Sequence, residues 1–217
     1  MAFAQSPHFS FGFAGDRCIG LDLAADRYLE LAPDAAIALR RLAAGMDAAS
    51  AGPGISELTG QRWILADGTQ PVAPASPAPL AASVLEMPRF GSPYRISVLK
   101  VTWRLLAART ALTMLGLGRT VGRYRSKAMV RPRLRGDALV ALAQEYQRAR
   151  FAIPLRRACL PDSLAMARVL RSHGAAVEIV FGVRLQPFGA HAWVQSGETL
   201  LSDNLATVMD FAPVLVL

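Results

Sequence analysis

The stretch PVAPASPAPLAA, residues 71–82, limits what this chain can fold into more than any other feature. Proline fixes φ and lacks a backbone N–H, so four prolines within these residues exclude a helix interior and a central strand. No periodic pattern runs through them, which predicts an extended, semi-rigid linker dividing the chain in two. Charge divides near the same place. Residues 1–70 carry five Lys/Arg against eight Asp/Glu, net −3, whereas residues 71–217 carry 19 against eight, net +11. The expected organisation is a module over 1–70, a linker over 71–89 and a second module over 90–217. At 217 residues and 53% hydrophobic, with only 18% charged, the chain can bury a sizeable core, and global disorder is excluded.

In the first module, His8–Ala14, Cys18–Leu23 and Arg27–Leu31 read as strands separated by the turn signals AGDR and AAD. In the third, Leu29 and Leu31 alternate with Tyr28 in the sense of a two-residue repeat. A helix follows over PDAAIALRRLAAG, with Pro33 in its first turn and Gly45 just past its end. ISELTGQRWILADG then predicts a short helix and a strand ending at Asp67-Gly68, completing a winged-helix-like module. The second module begins with a long helix over Ile96–Leu115, a Gly- and Arg-rich turn and a helix over Gly136–Arg150. A helix opening at Cys159 and closing at His173-Gly174 comes next. Strands follow at Val177–Val183, His191–Gln195, Thr199–Ser202 and Ala212–Leu217. Helices followed by an antiparallel sheet predict an α+β domain. Ile96–Gly118 is the most hydrophobic stretch, but Lys100, Arg104 and Arg109 within it are costly at bilayer depth. It reads as a core or partner-facing helix, without stable membrane insertion. The first basic residue is Arg17 and no apolar run follows a basic start, so no secretory signal is expected and a cytoplasmic location is.

Two cysteines, Cys18 and Cys159, make no disulfide framework, and no Cys/His cluster has metal-ligand spacing. Cys159 opens the helix pattern CLPDSLAMARVLRSHG, which puts its thiol beside unpaired N–H groups and the positive end of a helix dipole. Arg156 and Arg157 add positive potential, and those N–H groups suit an oxyanion hole. A thiol is nucleophilic as the thiolate and needs a base, and the base needs a group to orient it. His191, in the strand pattern AHAWVQ, and Asp203, after TLLSD, supply both. Singly, each has a blander reading: a small buried cysteine, a core or surface histidine, a turn aspartate. Their joint arrangement points to a cysteine-nucleophile enzyme. Cys18 lies mid-strand and reads as structural, His173 as a partner of the last helix carbonyls, and His8 as part of the N-terminal tail or first strand.

The segments CLPDSLA (Cys159–Ala165), FGV with HAWV (Phe181–Val183, His191–Val194) and L-x-D (Leu201–Asp203) resemble the lasso-peptide leader peptidases. These are the B proteins of lasso-peptide biosynthesis, with a papain/transglutaminase-like cysteine protease core. Gly20–Ala36, GLDLAADRYLELAPDAA, resembles the leader-recognition element of peptide-modifying systems, here fused to the protease. The resemblance implies a leader adding as a strand beside Arg27, Tyr28, Leu29, Glu30 and Leu31 and lying against Ile55 and Leu58. Tethering raises the effective concentration of the scissile bond at Cys159, with the linker setting the reach. It also implies a partner cyclase resembling asparagine synthetase. The chain itself needs no cofactor, and ATP enters through that partner.

Arg119, Arg123, Arg125, Lys127, Arg131, Arg133 and Arg135 form a basic stretch without an acidic residue. It reads as a solvated connection or as a docking surface for an acidic partner. Tyr124 is the lone interleaved aromatic, so nucleic acid is not expected. Two other functions fit parts of the pattern: acyl transfer by the same triad to an amine, and non-catalytic delivery of a precursor to the cyclase.

Overall fold

The computed structural model describes residues 3–125 and 134–217. Strands β2 (Phe9–Ala14), β3 (Arg17–Asp22) and β4 (Arg27–Glu30) form an antiparallel sheet in the order β2-β3-β4. A two-residue strand, β1 (Ala4–Gln5), precedes them and pairs with β5 (Ile64–Leu65); it is too short to leave a periodic signal. Between β4 and β5 run α1 (Pro33–Ala43), α2 (Ala48–Ala51) and α3 (Ile55–Gly60). In α1, Asp34 lies in the first turn and Arg40 and Arg41 in the last, each matching the helix dipole. Gly45 beyond its end takes the left-handed φ of 83° that a side chain disfavours. The single-turn α2 starts where the Asp47 carboxylate accepts the Ser50 N–H at 2.9 Å.

Strand β3 shows how the two sequence regions meet. Cys18 joins Phe9, Phe11, Leu39 and Leu58 in a small core, where the Phe9 and Trp63 rings stack with centroids 5.0 Å apart. Its neighbours Ile19 and Leu21 face the other way into the larger core. Alternation along one strand therefore feeds two cores, and the sheet is covered on both faces.

The second region holds α4 (Val98–Arg125), α5 (Gly136–Phe151) and α6 (Cys159–Ser172). Then come β7 (Glu178–Leu185), β8 (Phe188–Ser196), β9 (Thr199–Leu200), α7 (Leu205–Val208) and β10 (Ala212–Val216). With β6 (Ala82–Ser83), the strands form a sheet in the order β10-β7-β8-β9-β6, in which only β6 pairs in parallel. The fold is α+β, helices against a largely antiparallel sheet.

Two expectations need correction. The Gly- and Arg-rich turn is helical as far as Arg125. Gly116 breaks α4 with φ 73° and ψ 175°, but Leu117, Val121 and Tyr124 continue a buried apolar stripe beyond it. Of the basic stretch, Arg125 donates to the Pro7 carbonyl, while Lys127, Arg131 and Arg133 lie outside the described residues. Among the described residues no helix is long and apolar enough to cross a membrane.

Second, the proline-rich segment is extended but does not act as an adjustable spacer. Ala73 N–H donates to Gln5 Oε1 at 3.1 Å and Ala75 N–H to the Phe11 carbonyl at 2.8 Å. Further on, Gln195 Nε2 donates to the Ala78 carbonyl at 3.0 Å, and Ala81 N–H to that of Glu198 at 2.8 Å. The non-proline backbone groups still need partners, and the neighbouring elements supply them. The segment is a strap fastened at both ends.

A second fastening joins β2 to β10. A Cβ placed on Gly12 would stand 1.8 Å from the Pro213 carbonyl oxygen, so only glycine permits this approach. Gly12→Val should destabilise the chain by about 1–3 kcal/mol through overpacking, read as a lower Tm. An unchanged melting curve would contradict the close contact.

Candidate active site

Cys159 is carried on the first turn of α6 and is exposed to solvent. Ala158, which precedes the helix, has no capping side chain. Asp162 reaches back instead and accepts the Ala158 N–H at 2.9 Å. Its carboxylate is paired with Arg150, whose side chain is only 3% exposed. Arg150 also donates to the carbonyls of Ile153 at 3.3 Å and Leu155 at 3.0 Å, holding the loop that delivers Cys159. Arg150→Ala leaves Asp162 without its countercharge and both carbonyls without this donor. A loss of about 3 kcal/mol in urea unfolding is expected.

His191 lies on β8 with its ring between Trp193, centroids 6.3 Å apart, and Phe211, 5.4 Å. The Ser163 hydroxyl donates to the Ala192 carbonyl at 2.9 Å, which ties α6 to β8 one residue from the imidazole. Buried His191 Nε2 is 3.4 Å from Asp203 Oδ1, an ion-pair separation, and has no partner of better geometry. The Cys159 thiol shares one cavity with His191 and Asp203, and His191 is the group that acts on it most strongly. Asp203 is itself held in place. Ser202 Oγ donates to Asp203 Oδ2 at 2.6 Å while accepting the Val194 N–H at 2.9 Å. Ser83 Oγ donates to the Asp203 carbonyl at 2.6 Å. Gln147 Nε2 donates to the carbonyls of Leu201 at 3.0 Å and Ser202 at 3.3 Å. A cavity of about 180 Å³ lies against Cys159, His191 and Asp203.

The electrostatics follow from this geometry. His191 is pushed up to about 9, first by Asp203 and then by Cys159, against its burial. The Cys159 thiol is pulled down, first by His191 and against partial burial, with the Ala192 and Leu160 N–H groups adding to the effect. The two groups are coupled, and each shift favours the charged form: imidazolium for His191 and thiolate for Cys159. Of the two preceding arginines, Arg157 lines the cavity at Cys159 with its guanidinium 4.1 Å over the Phe151 ring, and the Arg156 backbone carbonyl accepts from Arg109. Cys18 is the opposite case, buried and pushed up to about 12. His173 Nδ1 lies 2.9 Å from the Val169 carbonyl at the end of α6.

Among the residues expected to meet a leader, Arg27, Tyr28, Leu29 and Glu30 make up β4, whose outer edge no strand covers among the described residues. Tyr28 is half-buried against the larger core, whereas Leu29 and Ile55 pack on the small one. Leu31 and Leu58 are 5% and 0% exposed and brace the strand and helix from inside. The Tyr28 phenol is pushed up to about 12, by burial first and then by the charges of Cys159 and Asp26.

The family model described as "Transglutaminase-like superfamily" matches residues 102–216, just over half of the chain. The chain belongs to the transglutaminase-like superfamily. The matched region carries Cys159, His191 and Asp203 together. A 45-residue segment of this transglutaminase-like chain is 42% identical to the microcin J25-processing protein McjB of Escherichia coli. That segment is 21% of this chain and about a fifth of the relative's own length. No solved structure matches at a significant level.

Several residues that shape the site left no signal of their own in the sequence. Ser83 is far from Cys159, His191 and Asp203 in the chain, and Gln147, Arg150 and Phe211 lie outside the segments that carry those three, so only tertiary packing brings them to the site. Ser163 and Ser202 fall inside the quoted segments CLPDSLA and TLLSD, where their hydroxyls were legible as residues but not as hydrogen-bond donors.

Proposed function

We propose that this chain is a cysteine peptidase that binds the leader of a lasso-peptide precursor and cuts it from the core peptide. Macrolactam formation by a partner cyclase follows. The observation that carries this reading is a solvent-accessible Cys159 thiol on one cavity with His191 and Asp203, while the uncovered strand β4 meets the strand that carries His191 through the Tyr28 and Phe188 rings. The partial likeness to a protein named for microcin J25 processing supports the same class of work.

In this mechanism the leader adds to β4 as a further strand, where backbone pairing gives affinity. The Cys159 thiolate attacks the scissile carbonyl, forming an S–C bond. The negative charge on oxygen meets backbone N–H groups at the start of α6. As the C–N bond breaks, the His191 imidazolium gives its proton to the leaving amine, and the core peptide departs with a free N-terminus. Water then attacks the thioester, His191 takes its proton, and the leader leaves as a carboxylate. Asp203 holds the imidazole and supports its positive charge. The chain needs no cofactor of its own. ATP dependence enters through the asparagine-synthetase-like cyclase, and the setting is cytoplasmic.

Mass spectrometry of a precursor encoded beside this gene, incubated with the chain, its cyclase and ATP, tests the reading. Release of an intact leader with one added water is the expected result. Transfer of the leader to an amine indicates an acyltransferase instead, and recovery of uncut precursor rejects the peptidase.

A further inference from the structure

Strand β4 offers more than an open edge. The Leu31 N–H points inward to the Cys18 carbonyl at 3.0 Å. By alternation Leu29 and Arg27 also pair inward, and Tyr28 and Glu30 turn their N–H and C=O groups to the free edge. In the register of β3 and β4, Ile19 lies opposite Glu30 and Leu21 opposite Tyr28, so these four side chains share one face.

That face does not look into solvent. The tip of the β7–β8 hairpin, Leu185 paired with Phe188, stands over it, and the Tyr28 and Phe188 rings meet edge-on with centroids 6.2 Å apart. Between them is a cleft of about 170 Å³, lined by Ile19, Tyr28, Leu185 and Phe188 and bordered by the exposed Arg17–Glu30 ion pair. Phe188 is 62% exposed, although it is a large aromatic at a hairpin tip. It sits on the strand that carries His191, three residues earlier and so about 10 Å away along β8.

We propose that this cleft is a substrate subsite for an aliphatic or aromatic side chain of the precursor leader, filled as the bound strand approaches Cys159. The proposal rests on the leader-peptidase reading above. A strand added to β4 places the side chains opposite Tyr28 and Glu30 on the cleft face. The alternate ones fall on the opposite face, towards Leu29 and Ile55. The leader is thus read in two interleaved sets, one by the small core and one by the hairpin that carries the imidazole. The walls are apolar and the bordering charges are already paired, so an ionised side chain would lose its water without gaining a partner. An apolar one covers Phe188 and bridges the recognition strand to the catalytic hairpin in a single contact.

The test uses the full chain carrying Cys159→Ala, so that nothing is cut, and a fluorescently labelled synthetic leader from the neighbouring precursor. Anisotropy titration gives Kd with and without Phe188→Ala, an exposed change that leaves both cores intact. Weakening of about tenfold by Phe188→Ala is expected. Alanine scanning of the leader should then show a position, one of an alternating set, whose effect disappears in the Phe188→Ala background. Equal Kd values overturn the subsite and leave leader recognition standing. No binding by the Cys159→Ala chain overturns leader recognition itself, and the subsite with it.

Discussion

Cys159→Ala is expected to abolish leader release, lowering the rate by about 10³-fold or more, while the precursor still binds. The size of the effect follows from the chemistry. Alanine cannot form the thioester, so cleavage would have to proceed by direct attack of water, without the covalent step that the thiolate provides. The side chain is exposed at the start of α6, so the substitution removes a reactive atom rather than core packing. Single-turnover cleavage followed by mass spectrometry, with leader binding measured on the same sample, separates loss of chemistry from loss of fold. Cleavage by the alanine variant at a rate near wild type would show that the thiol is not the nucleophile, and the chain would then be a delivery module for the cyclase.

Asp203→Asn should act through pH. His191 is held up to about 9, and Asp203 is the largest cause. The active thiolate–imidazolium pair forms as Cys159 loses its proton, and the lowered thiol brings that limb below the usual thiol range. It is lost at high pH when His191 gives up the proton that the leaving amine requires. In wild type the rate therefore rises with pH on the thiol limb and falls on a limb near 9. Removing the carboxylate charge moves the alkaline limb down towards the ordinary histidine range. The plateau narrows, and the rate at pH 8 drops roughly tenfold as the imidazolium fraction falls. Asparagine can still hold the ring, so the acid limb should move less. A pH–kcat/KM profile measures both limbs, and an alkaline limb that stays near 9 would remove Asp203 from the machinery.

The arrangement of the two regions bears on specificity. The strap over residues 71–82 is bonded to Gln5 and Phe11 at one end and to Gln195 and Glu198 at the other, and β2 rests on β10 through Gly12. The separation between β4 and Cys159 is thus set by packing rather than by a linker of variable reach. Under the proposed function, a leader bound at β4 delivers its cut site at an effective concentration set by this packing. A weakly selective thiol site is sufficient under those conditions.

What could be read directly from the sequence were features whose physics is local. Helix starts and stops are written in a few residues, as at Pro33 and Gly45 or in the run from Cys159 to Gly174, and strand alternation is visible in HAWVQ. The candidate triad was legible for the same reason: a cysteine opening a helix, a histidine on a strand and an aspartate closing one each carry their setting with them. Contacts across the chain were decided only by the fold. Ser83 reaches the Asp203 carbonyl across 120 positions and Gln147 the Leu201 carbonyl across 54, and no short period encodes either. Leu31 and Leu58, which the resemblance sets beside a leader, are buried at 5% and 0% exposure, and which elements cover them is decided by tertiary packing. Likewise the proline-rich stretch has no regular secondary structure over 71–81, and its role as a strap depends on partners that only the neighbouring elements provide. Local propensity determined the pieces and their chemistry. Burial on both faces of β3 decided that β4 stands against the strand that carries His191.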